Sequence, residues 1–135
     1  NTIEKTLNQG IAVTASFMWG FPFETKDDFL KTLLAVRKAK KLGAKIAFSV
    51  LTPLPLSPLY AEYKNNLIFP EDGPNFVSGM LGKDWHNDPE IVQLVKKYPK
   101  IFSSFYYYNS PALQEKINLI NLSLASKGLH YVQDI

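Results

Sequence analysis

Ile11-Ala12-Val13-Thr14-Ala15-Ser16-Phe17-Met18-Trp19-Gly20 and Lys45-Ile46-Ala47-Phe48-Ser49-Val50-Leu51 are two runs of one kind, and what separates them decides the fold. In the first, Ile11, Val13, Ala15, Phe17 and Trp19 share a face and are mostly bulky, while Ala12, Thr14, Ser16 and Met18 share the other and are mostly small or polar. That period of two is the pattern of a strand. In the second run Ile46, Phe48 and Val50 alternate with Ala47, Ser49 and Leu51. Between them, residues 26–42 read as a helix with Thr25 as N-cap, Asp27 and Asp28 in the first turn, and Gly43 just past the end. Its apolar stripe is Phe29, Leu30, Leu33, Leu34 and Leu42. A strand, a crossover helix and a second strand form a βαβ unit, with the strands parallel and the helix on one face.

Working outward, residues 2–9 read as the end of a preceding helix, with Ile3 and Leu7 on one side and Gly10 as a left-handed C-cap. Two strands are too few for a sheet of ordinary size, and parallel strands need cover on both faces, so the unit reads as part of a larger barrel or sheet. The contrast between a bulky and a small face suits a barrel wall. Beyond Thr52-Pro53-Leu54-Pro55, which stops the second strand, Ser57-Pro58-Leu59-Tyr60 opens a short helical turn and residues 65–88 read as a long loop. Asp88-Pro89 starts a helix with Ile91, Val92, Leu94, Val95 and Tyr98 on one face, stopped by Pro99. Ser110-Pro111 starts another, through Leu113, Ile117, Leu119, Ile120, Leu122 and Leu124 to about Lys127-Gly128. Residues 101–108 are open between a strand, a helix continuation and a packed extended segment. The expected class is therefore α/β: a partial (β/α) barrel segment over residues 1–64, then a loop and mainly helical extension over residues 65–135.

Composition narrows the function. The 135 residues suffice for one domain, and 46% hydrophobic content with 2 Trp, 7 Tyr and 9 Phe demands a buried core. With no Cys, the chain cannot form disulfides, thiolate zinc sites or the ligand set of an iron–sulfur cluster. No apolar run is long enough to span a bilayer and the first residues are polar, so a cytoplasmic protein with no membrane partner is expected. The net charge is only +3, and the densest basic run, Arg37, Lys38, Lys40 and Lys41, falls at a helix end where it complements the dipole. No nucleic-acid partner is expected. Tyr106-Tyr107-Tyr108 reads as packing under the last helix in preference to a base-stacking platform. Asp84, His86 and Asp88 alternate like metal ligands but lack a second His, so no metal site is assigned.

The chemistry-bearing stretches lie where the strands end, which in parallel α/β folds is where ligand sites form. They are Gly20-Phe21-Pro22-Phe23-Glu24-Thr25 and, starting 27 positions after Thr25, Thr52-Pro53-Leu54-Pro55-Leu56-Ser57-Pro58-Leu59-Tyr60. Together they resemble the later barrel strands of radical S-adenosylmethionine (SAM) enzymes, especially members with an upstream cobalamin-binding domain. There, one strand ends in a Gly-Leu-Pro-Gly-Glu-Thr type loop and the next in a Thr-Pro-x-Pro-x-(Ser/Thr)-Pro-Leu-Tyr type segment. Tyr98-Pro99-Lys100-Ile101-Phe102-Ser103-Ser104-Phe105-Tyr106 is similar to a segment found behind that barrel. This chain departs from the pattern at Phe23 and Ser16, where the family commonly has Gly, and it lacks the Cys-x3-Cys-x2-Cys cluster motif.

The resemblance implies a C-terminal fragment of an iron–sulfur enzyme, inactive alone because the cluster cysteines lie elsewhere. The parent would use SAM and a [4Fe-4S] cluster, with cobalamin as a further cofactor in cobalamin-type members. By resemblance, backbone groups around Phe17, Met18 and Trp19 would contact the adenine. Gly20 and Glu24 would shape the SAM end of the loop, and the stretch from Ser49 to Leu51 would flank it from the next strand. No residue here is assigned as catalytic. The partners implied are the N-terminal barrel half of the same polypeptide, a small-molecule substrate, and a second copy pairing through exposed edges in the isolated chain. The alternative is a small α+β interaction module without cofactor, burying Phe102, Phe105 and the tyrosines against a partner. A fragment should show open strand edges and an open apolar inner surface, whereas a complete module should show a closed core.

Overall fold

The computed structural model describes residues 2–69 and 87–125, with side chains to residue 120. Asp84, His86 and the expected helix end near Lys127-Gly128 lie outside them. The order of elements is α1 (Thr2–Asn8), β1 (Thr14–Trp19), α2 (Lys26–Lys41), β2 (Lys45–Val50), α3 (Pro58–Tyr63), β3 (Leu67–Ile68), α4 (Pro89–Lys97), β4 (Tyr107–Tyr108) and α5 (Pro111–Ala125), with a 3-10 turn at Ser103–Phe105 before β4.

The βαβ unit forms as its sequence dictates. Thr25 caps α2: its hydroxyl accepts from the Asp28 N–H at 3.2 Å, and the Asp28 carboxylate reaches back to the Thr25 backbone N–H and hydroxyl. This reciprocal capping box holds the Asp28 carboxyl below its ordinary value, chiefly through the Thr25 hydroxyl and backbone. At the other end the chain turns at Gly43, which takes φ +97°, and β2 begins at Lys45. The strands run parallel in the register Thr14 with Lys45, Ser16 with Ala47 and Met18 with Ser49. The ladder starts later than the alternation of residues 11–19 suggests. The Val13 carbonyl accepts from Lys45 N–H at 2.9 Å, so β2 offers nothing opposite Ile11 and Ala12, and Ile11 stays exposed.

The bulky face is covered, the small face is not. Trp19, fully buried, stacks on Phe48 with ring centres 5.9 Å apart and tilts against Phe29 of α2 at 5.2 Å. Val36, Val50, Tyr107, Leu113 and Ile120 complete this core. Residues on both sides of the 64/65 division therefore share one core. On the opposite face Thr14, Ser16 and Met18 are exposed and Ala47 and Ser49 half-buried. The surface left open is small and polar apart from Met18, where an apolar one was expected of a fragment. Among the described residues each of β1 and β2 has one hydrogen-bonded neighbour, so each keeps an unpaired edge.

In the second half, the undecided residues 101–108 resolve into the 3-10 turn and β4, and the loop of residues 65–88 contains β3. Leu67 pairs with Tyr108 and Ile68 with Tyr107, antiparallel, and Asn109 N–H donates to the Asn66 carbonyl. Tyr106, Tyr107 and Tyr108 are all buried. Burial pushes each phenol above its ordinary pKa, Tyr107 most strongly, and no hydrogen bond satisfies the Tyr107 hydroxyl.

Candidate functional site

The C-terminal end of β1 runs into a loop that α5 locks from below. Gly20, at φ +84°, reverses the chain, and its N–H donates to Glu24 Oε2 at 2.9 Å. Lys116 of α5 then donates through Nζ to the same oxygen at 2.8 Å and to the Glu24 carbonyl at 2.7 Å. The Lys116 side chain is 1% exposed and that of Glu24 8%, so the pair is an internal one. A Cβ on residue 20 would stand 2.8 Å from Val50 Cγ2 and 3.7 Å from Leu113 Cδ1. Glycine is thus favoured twice, by its left-handed backbone and by Val50 of β2 closing over it, while Leu113 of α5 lies at ordinary contact distance.

The end of β2 is fixed differently. Leu51 N–H donates to the Trp19 carbonyl at 2.7 Å, extending the ladder by one step. Pro53 is fully buried, and its carbonyl accepts from the buried Ser103 hydroxyl at 3.0 Å. Ser57 caps α3 by accepting from Tyr60 N–H, while its own hydroxyl donates to the Leu54 carbonyl. Between these anchors Leu56 is wholly exposed at φ +70°.

The residues suggested by the sequence fall into three groups. Phe17 and Trp19 turn toward the helix layer and belong to the core. Met18 and Ser49 are register partners on the uncovered face, with Leu51 half-buried one step beyond. Gly20 and Glu24 form the locked loop, where the Gly20 N–H and one Glu24 carboxylate oxygen are already bonded within the chain. Lys116 is the residue that sequence reading passed over. Its signal was its position three after Leu113 and four before Ile120, a cation on an apolar stripe.

From Ser16 and Ala47 onward the open face carries hydroxyls and a thioether but no titratable group, so it can line a pocket and cannot itself transfer protons. Among the described residues no group of three His, Cys, Asp or Glu side chains could hold a metal ion. Asp88 is a helix cap, accepting from Glu90 N–H at 2.9 Å and Ile91 N–H at 3.3 Å. The buried tyrosines present no stacking platform to nucleic acid. Compared with family models, with curated proteins and with solved structures, the chain has no significant match in any of the three.

Proposed function

We propose that this chain is one wall of a larger (β/α) barrel, a C-terminal piece of a radical SAM iron–sulfur enzyme, completed by the barrel half that precedes it in the same polypeptide. The observation that carries the reading is the half-covered parallel pair. Parallel sheets are buried on both faces, yet here helices cover the bulky face while Ser16 and Met18 stand open, Ala47 and Ser49 are only half-buried, and among the described residues both strands keep free edges. Additional strands on those edges would turn the small-residue face inward, and the loops at Gly20 and Leu51 would then border the mouth.

Within that reading, Met18, Ser49 and Leu51 supply the pocket lining. Ser16 and Ala47 leave it free of bulky side chains, and Phe17 and Trp19 act from behind by fixing the strand. Gly20 and Glu24 shape the loop, their groups being engaged with one another and with Lys116. A SAM site on the open face would meet the Ser16 and Ser49 hydroxyls and the Met18 thioether, whereas the [4Fe-4S] cluster finds no ligand set in a chain without Cys and would belong to the remainder of the polypeptide. When bound, the cluster supplies the electron that cleaves SAM.

The test is the coding sequence upstream of the codon for Asn1. A Cys-x3-Cys-x2-Cys motif in frame is the expected finding, followed by an assay of 5′-deoxyadenosine release from the whole protein with a reconstituted cluster. An upstream frame without that motif ends the proposal.

A further inference from the structure

Lys116 sits in the middle of the apolar face of α5. Leu113 before it and Ile120 after it belong to the buried core, and Ile117 packs against that core. Among the described residues no helix is long and apolar enough to cross a bilayer, and the apolar face of α5 goes to the core beneath the sheet. A lysine is seldom fully buried without a partner, and a buried ion pair is often no more stable than well-packed apolar residues of the same volume. What such a pair adds is selection of one geometry, because charges removed from water tolerate few arrangements.

Here the geometry selected is that of the loop after β1. Lys116 Nζ donates to Glu24 Oε2 and to the Glu24 carbonyl, the Gly20 N–H donates to the same Oε2, and the Glu24 N–H donates to the Phe21 carbonyl at 3.0 Å. Both ends of the segment 20–24 are thereby tied to one carboxylate and one ammonium. The neighbouring residues repeat the contact with the signs exchanged, Lys26 pairing with Glu115 where both are half-exposed. That outer pair contributes little to stability. Together the two pairs fix how α5 sits, since exchanging partners would set Glu24 against Glu115 and Lys26 against Lys116.

We propose that Lys116 is a positioning residue for the ligand site at the strand ends: through Glu24 it holds residues 20–24 in the shape that meets the ligand, and so couples binding there to the seating of α5. The ligand class, an adenosyl compound, rests on the radical SAM reading, whereas the hold on the loop rests on this chain's own hydrogen bonds. Lys116 touches no ligand itself, being 1% exposed behind Glu24. The coupling is reciprocal, so a ligand that fits the held loop also favours the seated helix.

Two measurements test this, each against Val95→Ala, a buried truncation on α4 that lowers stability without removing a bond to the loop. In the 135-residue chain, amide hydrogen exchange at Gly20 should quicken at least about tenfold more in Lys116→Met than in Val95→Ala. In the whole polypeptide, Lys116→Met should weaken binding of S-adenosylhomocysteine, a redox-inert probe, at least about fivefold by calorimetry, with Val95→Ala unchanged. The double variant Glu24→Gln with Lys116→Met leaves no unpaired buried charge, keeps the fold and should show both changes. Gly20 exchange that rises no more than in Val95→Ala overturns the positioning role, and probe binding that Lys116→Met leaves unchanged overturns the coupling. Failure of the unmutated whole protein to bind the probe ends the radical SAM reading instead, and Gly20 exchange then decides the role of Lys116 alone.

Discussion

Breaking the Lys116–Glu24 pair should cost more stability than any other single polar change in the described residues, and its geometry says how the loss divides. The Nζ to Oε2 distance is 2.8 Å and both side chains are almost wholly removed from water, at 1% and 8% exposed, so solvent screening does little. Glu24→Gln leaves a buried ammonium facing a neutral amide and one carbonyl. Such an uncompensated charge costs about 3–5 kcal/mol. Lys116→Met leaves the carboxylate with the Gly20 N–H still donating, and Glu24 stands on a loop that can turn outward, so about 2 kcal/mol is expected. The double variant removes both charges and keeps the methylene packing of α5, and it should be at least as stable as Glu24→Gln alone. Urea unfolding of the four proteins measures this directly. With a slope of about 1.5 kcal/mol/M, Glu24→Gln should move the midpoint by roughly 2 M or more. Single losses below about 1 kcal/mol that simply add in the double variant would refute the reasoning, showing the pair open to water.

Three further outcomes follow from other parts of the molecule. Gly20→Ala should cost about 3 kcal/mol, from the left-handed backbone together with the Val50 overlap, whereas Gly10→Ala, also left-handed but with nothing within 4 Å of its Cβ, should cost about 1 kcal/mol; equal losses in thermal unfolding would remove the packing contribution. The Tyr107 phenol is held above its ordinary value by burial, so the folded state stays neutral where the unfolded chain ionises, and stability should fall as pH rises beyond about 10. Tyr107→Phe should flatten that fall and cost little at neutral pH, because the hydroxyl makes no hydrogen bond, and a pH series of unfolding midpoints for both proteins decides. Asp28 lies lower when folded than its ordinary 3.8, so its stabilising effect is complete above that pH and is lost as the pH falls through the folded value. Asp28→Asn should show a smaller acid loss over the same window, and an identical acid profile would remove the capping box as its source.

What could be read from the chain, and what could not, follows from how local each signal is. Thr25, Asp28 and Gly43 mark the ends of α2 because caps act within four residues, and they stand where the sequence places them. The faces of β1 and β2 were legible for the same reason, since alternation is a property of the strand itself. The start of β1 was not, because the ladder begins where β2 can reach it, and that depends on the turn after α2. β3 and β4 are two residues each, too short to express a period, and they pair across a long sequence separation, beside the Asn109 N–H bond to the Asn66 carbonyl. In the candidate site Met18 and Ser49 could be placed from parity alone. Lys116 could not, because its meaning depends on a carboxylate 92 positions away.

That long contact changes how the two halves relate. A division at residues 64/65 treats the C-terminal half as an appendage to the βαβ unit, yet Tyr107, Leu113 and Ile120 are members of the same buried cluster as Trp19, Phe29 and Val36. Lys116 supplies two of the hydrogen bonds that hold the loop after β1, and Leu113 lies in contact distance of Gly20. Ser103 performs the corresponding task for the loop after β2 through the Pro53 carbonyl. Both strand-end loops, the parts of a parallel fold that meet ligands, are therefore positioned by residues from beyond the division. The helices behind the sheet set the loop geometry, while the face in front of it carries mostly small side chains, exposed on β1 and half-buried on β2, with Met18 as its one large residue among Thr14, Ser16, Ala47 and Ser49. In an arrangement of this kind a loss of α5 seating reaches the strand ends before it reaches the open face, because Lys116 holds the loop after β1 directly while Leu113 and Ile120 pack on the covered side of the sheet.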